Sequence, residues 1–212
     1  MTVLLAVLAG LPLTLLVTVC AFAIGLVGGV PIMLGLRSRI FPVRIATRFL
    51  VDLIRGVPTI VWLFLLYFGF SFGNFRFNSL GAAVLGLGII SAAYLAEMYR
   101  GAFLVLAKGQ SEAAQALGFG RRTTFVRILA PQAIRTALPS LTSYLLALVK
   151  DSSIASTIGV TEIVFAATTF ARQNPESAGL TPFFFAAGVY LAVSIPLAVV
   201  ARRLDTRLRR SF

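Results

Sequence analysis

Residues 12–36 read PLTLLVTVCAFAIGLVGGVPIMLGL, without one charged side chain. A bilayer core is about 30 Å thick and a spanning helix needs about 20 apolar residues, so this stretch is long enough to cross it. Upstream, the absence of charge continues to Met1, with Gly10-Leu11-Pro12 as the expected break between an interfacial segment and the helix proper. No basic segment precedes the run, as a secretory leader would require, so it is read as a membrane helix. Downstream, further charge-free stretches lie at Gly56–Phe75, Phe77–Ala96, Thr136–Val149 and Ser177–Ala201.

These runs predict one all-α integral membrane domain over residues 1–212, with spans at about 12–36, 51–72, 78–99, 137–157 and 181–203. The second helix is expected to start near Val51, placing Asp52 and Arg55 in its first turns. The fifth is expected to start at Thr181-Pro182, because proline suits a first helical turn. The fourth run is too short. Thr136 to Val149 covers roughly 21 Å at about 1.5 Å per residue. Lys150 and Asp151 follow it, so the helix is expected to carry this pair to membrane depth, with a kink or irregularity at Pro139. Segment 158–180 reads as a turn at Gly159, a short helix over Thr161–Ala171 and a loop around Asn174-Pro175.

Composition agrees with the runs. Of the 212 residues, 58% are hydrophobic and 12% charged, against roughly a quarter charged in soluble domains. Mean hydropathy is +0.94. The formal net charge of +12 would by itself fit nucleic-acid binding, but the basic residues flank apolar runs. Loop 37–50 holds Arg37, Arg39, Arg44 and Arg48. Segment 100–135 holds Arg100, Lys108, Arg121, Arg122, Arg127 and Arg135. The tail holds Arg202, Arg203, Arg207, Arg209 and Arg210. Fifteen of the 19 basic residues thus share one face. The positive-inside rule makes that face cytoplasmic, with the N-terminus outside and the C-terminus inside. There is no His, which excludes a histidine metal site, a His general base and a Ser-His-Asp triad. Cys20 is the one cysteine, so no intrachain disulfide exists, and its apolar run gives it a packing role.

Segment 100–135 is the longest polar stretch of the inner face. Within it, Ser111 is a suitable N-cap, Glu112 complements a helix N-terminus and Gly118 is a natural stop. A helix of about two turns is marginal alone because nucleation is costly. It must pack on its own membrane domain or fit a partner's groove, and the residues alone leave both open.

Here a resemblance enters. Glu112-Ala113-Ala114, Gly118, Ile128 and Pro131 stand at the spacing of the EAA loop of binding-protein-dependent ABC importer permeases. The usual Ile-x-Leu-Pro ending departs at one position, reading Ile128-Leu129-Ala130-Pro131. Other segments resemble the polar amino-acid branch (His/Glu/Gln/Arg/opine type). They are Arg55-Gly56-Val57-Pro58-Thr59, Ala93-Tyr94-Leu95-Ala96-Glu97-Met98-Tyr99-Arg100-Gly101, Lys108-Gly109-Gln110, Pro131-Gln132-Ala133-Ile134-Arg135 and Lys150-Asp151-Ser152-Ser153-Ile154. A position often held by Asn in that branch is Ser143 here, and a shorter hydroxyl changes reach.

The resemblance implies a five-helix permease core of the type I importer fold in a prokaryotic cytoplasmic (inner) membrane. It implies a second permease subunit, identical or similar, two ABC ATPase subunits docked on the EAA loops, and an external amino-acid-binding protein. Nucleic acid is not among the implied partners. The chain itself is expected to bind no cofactor or metal. ATP-Mg would belong to the partner ATPases, and neither lysine here lies in a G-x-x-x-x-G-K-[ST] phosphate loop. The implied coupling residues are Glu112, Ala113, Ala114, Gly118, Ile128 and Pro131.

Ionisable groups at membrane depth are expensive and mark function by default. Candidates are Asp52, Arg55, Glu97, Lys150, Asp151 and Glu162. A zwitterionic amino acid needs a donor-rich cation and an acceptor-rich anion in one site. Lys150 and Asp151 supply both, with Ser152 and Ser153 adding hydroxyls. The expected substrate path is therefore Arg55, Ser143, Lys150, Asp151, Ser152 and Ser153, against the alternative that these charges only lock helices together. Glu97 is expected to pair with Arg100 or another basic residue. Gly25-x-x-x-Gly29 and Gly81, Gly86 and Gly88 permit close helix approach, within the subunit or at a dimer contact. An intramembrane enzyme lacks its catalytic groups here. A stand-alone channel or ion-coupled transporter would leave the Ala-rich cytoplasmic helix without a purpose.

Overall fold

The computed structural model describes residues 2–69, 71–72, 75–106, 108–175 and 179–209. Ser177, where the last charge-free run begins, and Arg210 of the basic tail lie outside them.

Helix α1 (Val3–Leu8) and helix α2 (Leu11–Leu36) meet at the expected break, a turn at Ala9-Gly10. Together they form an apolar helical stretch long enough to cross a membrane, as do helix α5 (Ser79–Val105) and most of helix α10 (Thr181–Arg209). Two further spans arise only if bent helix pairs are counted whole.

The first bent pair corrects the expected second helix. Helix α3 (Phe41–Gly56) begins at Phe41, not near Val51, so much of the presumed basic loop is helical and Asp52 and Arg55 lie in its last turns. The chain then bends by 100° into helix α4 (Thr59–Phe64), which widens into a π-helical turn over Leu65–Gly69. Pro58 supplies the reason. It lacks an N–H and drives the preceding residue out of the helical region, and Val57 sits at φ −92°, ψ 135°. The Trp62 indole N–H donates to the Ile54 carbonyl at 3.1 Å, satisfying an end the break exposes. Residues Ser71–Phe72 and Phe75–Arg76 pair as a minimal antiparallel hairpin, β1 and β2.

The second bent pair lies around the fourth expected span. Helix α7 (Arg121–Thr123) runs through a π-helical turn at Thr124–Leu129 into helix α8 (Ala130–Asp151) and then a 3₁₀ segment, Ser152–Ile158. Helical structure therefore begins well before Ala137. Pro139 stays inside continuous helix, with the Thr142 and Ser143 hydroxyls donating to its carbonyl at 2.9 Å each. The turn at Gly159 has φ +89°, and helix α9 (Ile163–Gln173) follows. The two pieces differ in direction by 47°. Helix α5 runs past its expected end at Tyr99, and α10 past 203.

The core forms where α2 lies against α5. A Cβ on Gly25 would come within 2.6 Å of Ser91 Cβ, and one on Gly29 within 3.1 Å of the Ala96 backbone N. Gly86 meets Leu63 of α4 and Gly88 meets Ile24 of α2. These small residues therefore serve close approach within the subunit, which is how packing replaces the hydrophobic effect between helices in lipid. Asn78 starts α5 by accepting the Gly81 N–H at 2.7 Å.

Candidate functional site

The polar segment before α8 and the ionisable residues of the helices form two separate regions. The polar segment folds as helix α6 (Lys108–Ala116), so Ser111 lies within the helix and is not its cap. Gly118 ends it with φ +78°. Its N–H donates to the Gln115 carbonyl at 3.0 Å, and the Phe119 N–H to the Ala114 carbonyl at 2.9 Å. This paired Schellman closure needs a left-handed residue, a cost glycine avoids. Ala114 is buried, whereas Glu112, Ala113, Leu117 and Phe119 are exposed, Leu117 by 75%. Ile128 lies in the π-helical turn and Pro131 in the first turn of α8. Phe125 of that turn stacks on Phe103 of α5 at 5.4 Å, tying the segment to the membrane core.

The membrane residues meet around a pair of tyrosines. Tyr94 of α5 stacks on Tyr144 of α8 with centroids 5.5 Å apart. The Tyr144 hydroxyl donates to Ser91 Oγ at 3.0 Å. The Arg55 guanidinium stands 4.9 Å over the Tyr94 ring and is exposed, as is Lys150. Asp151 is half-buried and interacts electrostatically with Lys150 and Tyr144. Among the described residues neither Arg55 nor Lys150 forms an ion pair. Ser143, also exposed, and Tyr144 line a cleft of about 720 Å³ with Arg202 and Asp205 of α10.

The serines diverge. Ser153 donates to the Lys150 carbonyl at 2.7 Å. Ser152 has no exposed surface and donates to the Val149 carbonyl at 2.8 Å, so it faces the interior of this subunit. Glu97 pairs with Arg100 at 2.7 Å and with Arg48 at 3.7 Å.

Glu162 occupies neither region. It is fully buried and caps α9, accepting the Phe165 N–H at 2.8 Å on Oε1 and the Tyr190 hydroxyl at 2.8 Å on Oε2. Thr14 accepts the neighbouring Ile163 N–H at 3.3 Å. The Gly10 backbone packs directly on Glu162 and Ile163. This corner joins α1, α2, α9 and α10. Sequence reasoning assigned no role to Tyr94, Tyr144, Thr14 or Tyr190. Their signal was an isolated hydroxyl inside an apolar helix, which in lipid needs a partner.

A family model described as binding-protein-dependent transport system inner membrane component matches residues 23–210. The chain belongs to this family of permeases. It is the transport component of an ABC importer, not the ATPase. This permease is 36% identical to the probable amino-acid ABC transporter permease protein YckA of Bacillus subtilis (strain 168), over 95% of this chain and 88% of that protein. It is 36% identical to the arginine ABC transporter permease protein ArtQ of Haemophilus influenzae, over 93% and 95%. A solved amino acid ABC transporter with histidines superposes with a TM-score of 0.88 at 29% identity, covering 95% of this chain and 94% of that one. The MetNI methionine ABC transporter in inward-facing conformations shares the fold, with a TM-score of 0.70 at 19% identity over 97% and 94%.

Proposed function

We propose that this permease forms the path for a polar amino acid, in a topology with the N-terminus outside and the C-terminus in the cytoplasm. A second permease subunit, identical or similar, completes the path. Two ATPase subunits hold ATP-Mg and dock on α6 of each permease, and an external binding protein delivers the cargo. Closure of the ATPases moves α6, and the Phe125–Phe103 stack passes that movement to α5. The relatives named for amino-acid, arginine and octopine transport support the substrate class.

The observation that carries the reading is the stacked Tyr94–Tyr144 pair with Arg55 over Tyr94 and Asp151 near Tyr144, Lys150 being next to Asp151 in the chain. Among the described residues Arg55 and Lys150 form no ion pair, and open cations near a carboxylate suit a substrate carboxylate and ammonium that arrive together. The alternative role, locking helices, would need those charges paired inside the subunit. Ser153 bonds to the Lys150 carbonyl, and Ser143 lines the cleft it shares with Tyr144. Ser152 supports the site from inside by fixing the end of α8.

Lys150→Ala and Asp151→Ala are each expected to lower uptake about tenfold, the value of one charge-assisted contact, while the ATPase still co-purifies. The assay is uptake into vesicles supplied with binding protein. Wild-type uptake in both variants overturns the assignment.

A further inference from the structure

Between α2, α5 and α8 lies a cavity of about 390 Å³, within the size range of ligand sites. Its walls are apolar: Leu26, Met33, Phe103, Phe125, Ile134 and Leu141 are among them. Val30 and Ile134 on its rim are exposed, so it opens sideways from the helix bundle. One end is marked by charge. The Arg37 guanidinium at the α2 terminus stands 4.4 Å over Phe103, itself a wall residue. Arg44 donates to the Ser38 carbonyl at 3.4 Å, placing a second cation beside that end. The cavity thus combines an apolar slot between helices with a basic rim at the end of α2.

We infer that this cavity holds an acyl chain of an anionic phospholipid, with its phosphate against Arg37. The inference rests on the proposed topology, which puts Arg37 at the inner leaflet, where anionic lipid gathers. Charge selects this occupant. An apolar face of a second permease copy would fill the slot but would leave the Arg37 rim without an anion. Phe125 belongs both to the cavity wall and to the turn that carries the coupling segment. A seated chain therefore packs against the residue that ties that turn to α5.

The test uses the assembled permease–ATPase complex, purified in mild detergent and examined by native mass spectrometry. Headgroup preference is then read by exchange with phosphatidylglycerol or phosphatidylcholine. Wild type is expected to retain one phospholipid per permease chain and to prefer phosphatidylglycerol. Ala133→Leu, which fills the slot from α8, is expected to lose it. Arg37→Gln is expected to keep a lipid but lose about fivefold in preference for phosphatidylglycerol. A photo-crosslinker at position 134 in the otherwise native chain is expected to label lipid. Undiminished retention in Ala133→Leu, unchanged preference in Arg37→Gln, or a crosslink to a second permease copy each overturns the inference. Retention is measured without transport, so its failure is distinguishable from failure of the uptake assay.

Discussion

Helix α6 and the Glu162 corner invert one another. At α6, apolar Leu117 and Phe119 are exposed beside a rigid glycine turn. At the corner, a carboxylate is fully buried and both of its oxygens are hydrogen-bonded. An exposed apolar surface on the polar side of a membrane protein needs a partner to cover it. A buried polar group is tolerated where its partners are built in. On the proposed reading the first region is completed by another chain, whereas the second is complete within this one.

That difference can be broken at either end. The largest effect is expected from Glu162→Ala. It strips the α9 cap, leaves the Phe165 N–H unsatisfied in the interior at about 1–3 kcal/mol, and takes from the Tyr190 hydroxyl its carboxylate acceptor. Because the corner joins four helices, the expected outcome is a sharply reduced yield of folded permease in size-exclusion profiles. Normal yield and melting would show that the corner is not structural.

Gly118→Asp and Leu117→Asp should act in the opposite way. Gly118 sits at φ +78°, where a side chain is strained, and Leu117 is already in solvent. Neither touches the membrane core, so folding should persist while co-purification of the ATPase falls at least tenfold. Full ATPase recovery with both variants would assign α6 to some other role. A variant that lost the fold together with docking would erase the distinction between the two regions.

Much of this was legible from charge and spacing. The absence of charge located α2, α5 and α10, because a spanning helix needs a run of about 20 predominantly apolar residues. The EAA spacing located α6, and the Gly118 stop was visible because glycine has one strong use at a helix end. Charge counting misplaced α3. It treated Arg44 and Arg48 as a loop signal, although Phe41, Ile45, Phe49 and Leu53 recur every four residues along an exposed stripe of one helix. Hydropathy was equally blind to depth within the bundle. The most apolar windows of α5 and α10 are comparably apolar, yet 61% of the first and 11% of the second is buried. Small residues make the difference, since Gly86, Gly88, Ser91, Ala92 and Ala96 let neighbours approach α5. At the candidate site the sequence singled out Arg55, Lys150 and Asp151 by their charge. It could not supply the tyrosine pair, whose meeting depends on how α5 and α8 pack.

The smallest expected effect sharpens the comparison most. Tyr190→Phe removes the hydroxyl that donates to Glu162 Oε2 but leaves Oε1 capping α9. One hydrogen bond contributes about 1 kcal/mol, so the melting midpoint in detergent should fall by a few degrees with the ATPase still bound. Glu162→Gln should cost less, because its amide oxygen can still accept the Phe165 N–H while its NH₂ donates to the tyrosine oxygen in place of the bond it received. If the corner serves only to hold α9 and α10 together, Tyr190→Phe loses more stability than Glu162→Gln and both keep wild-type uptake per folded complex. Uptake that falls further than the folded yield would mean that the corner also moves during transport, so the division between a complete region and an unfinished one would be too simple.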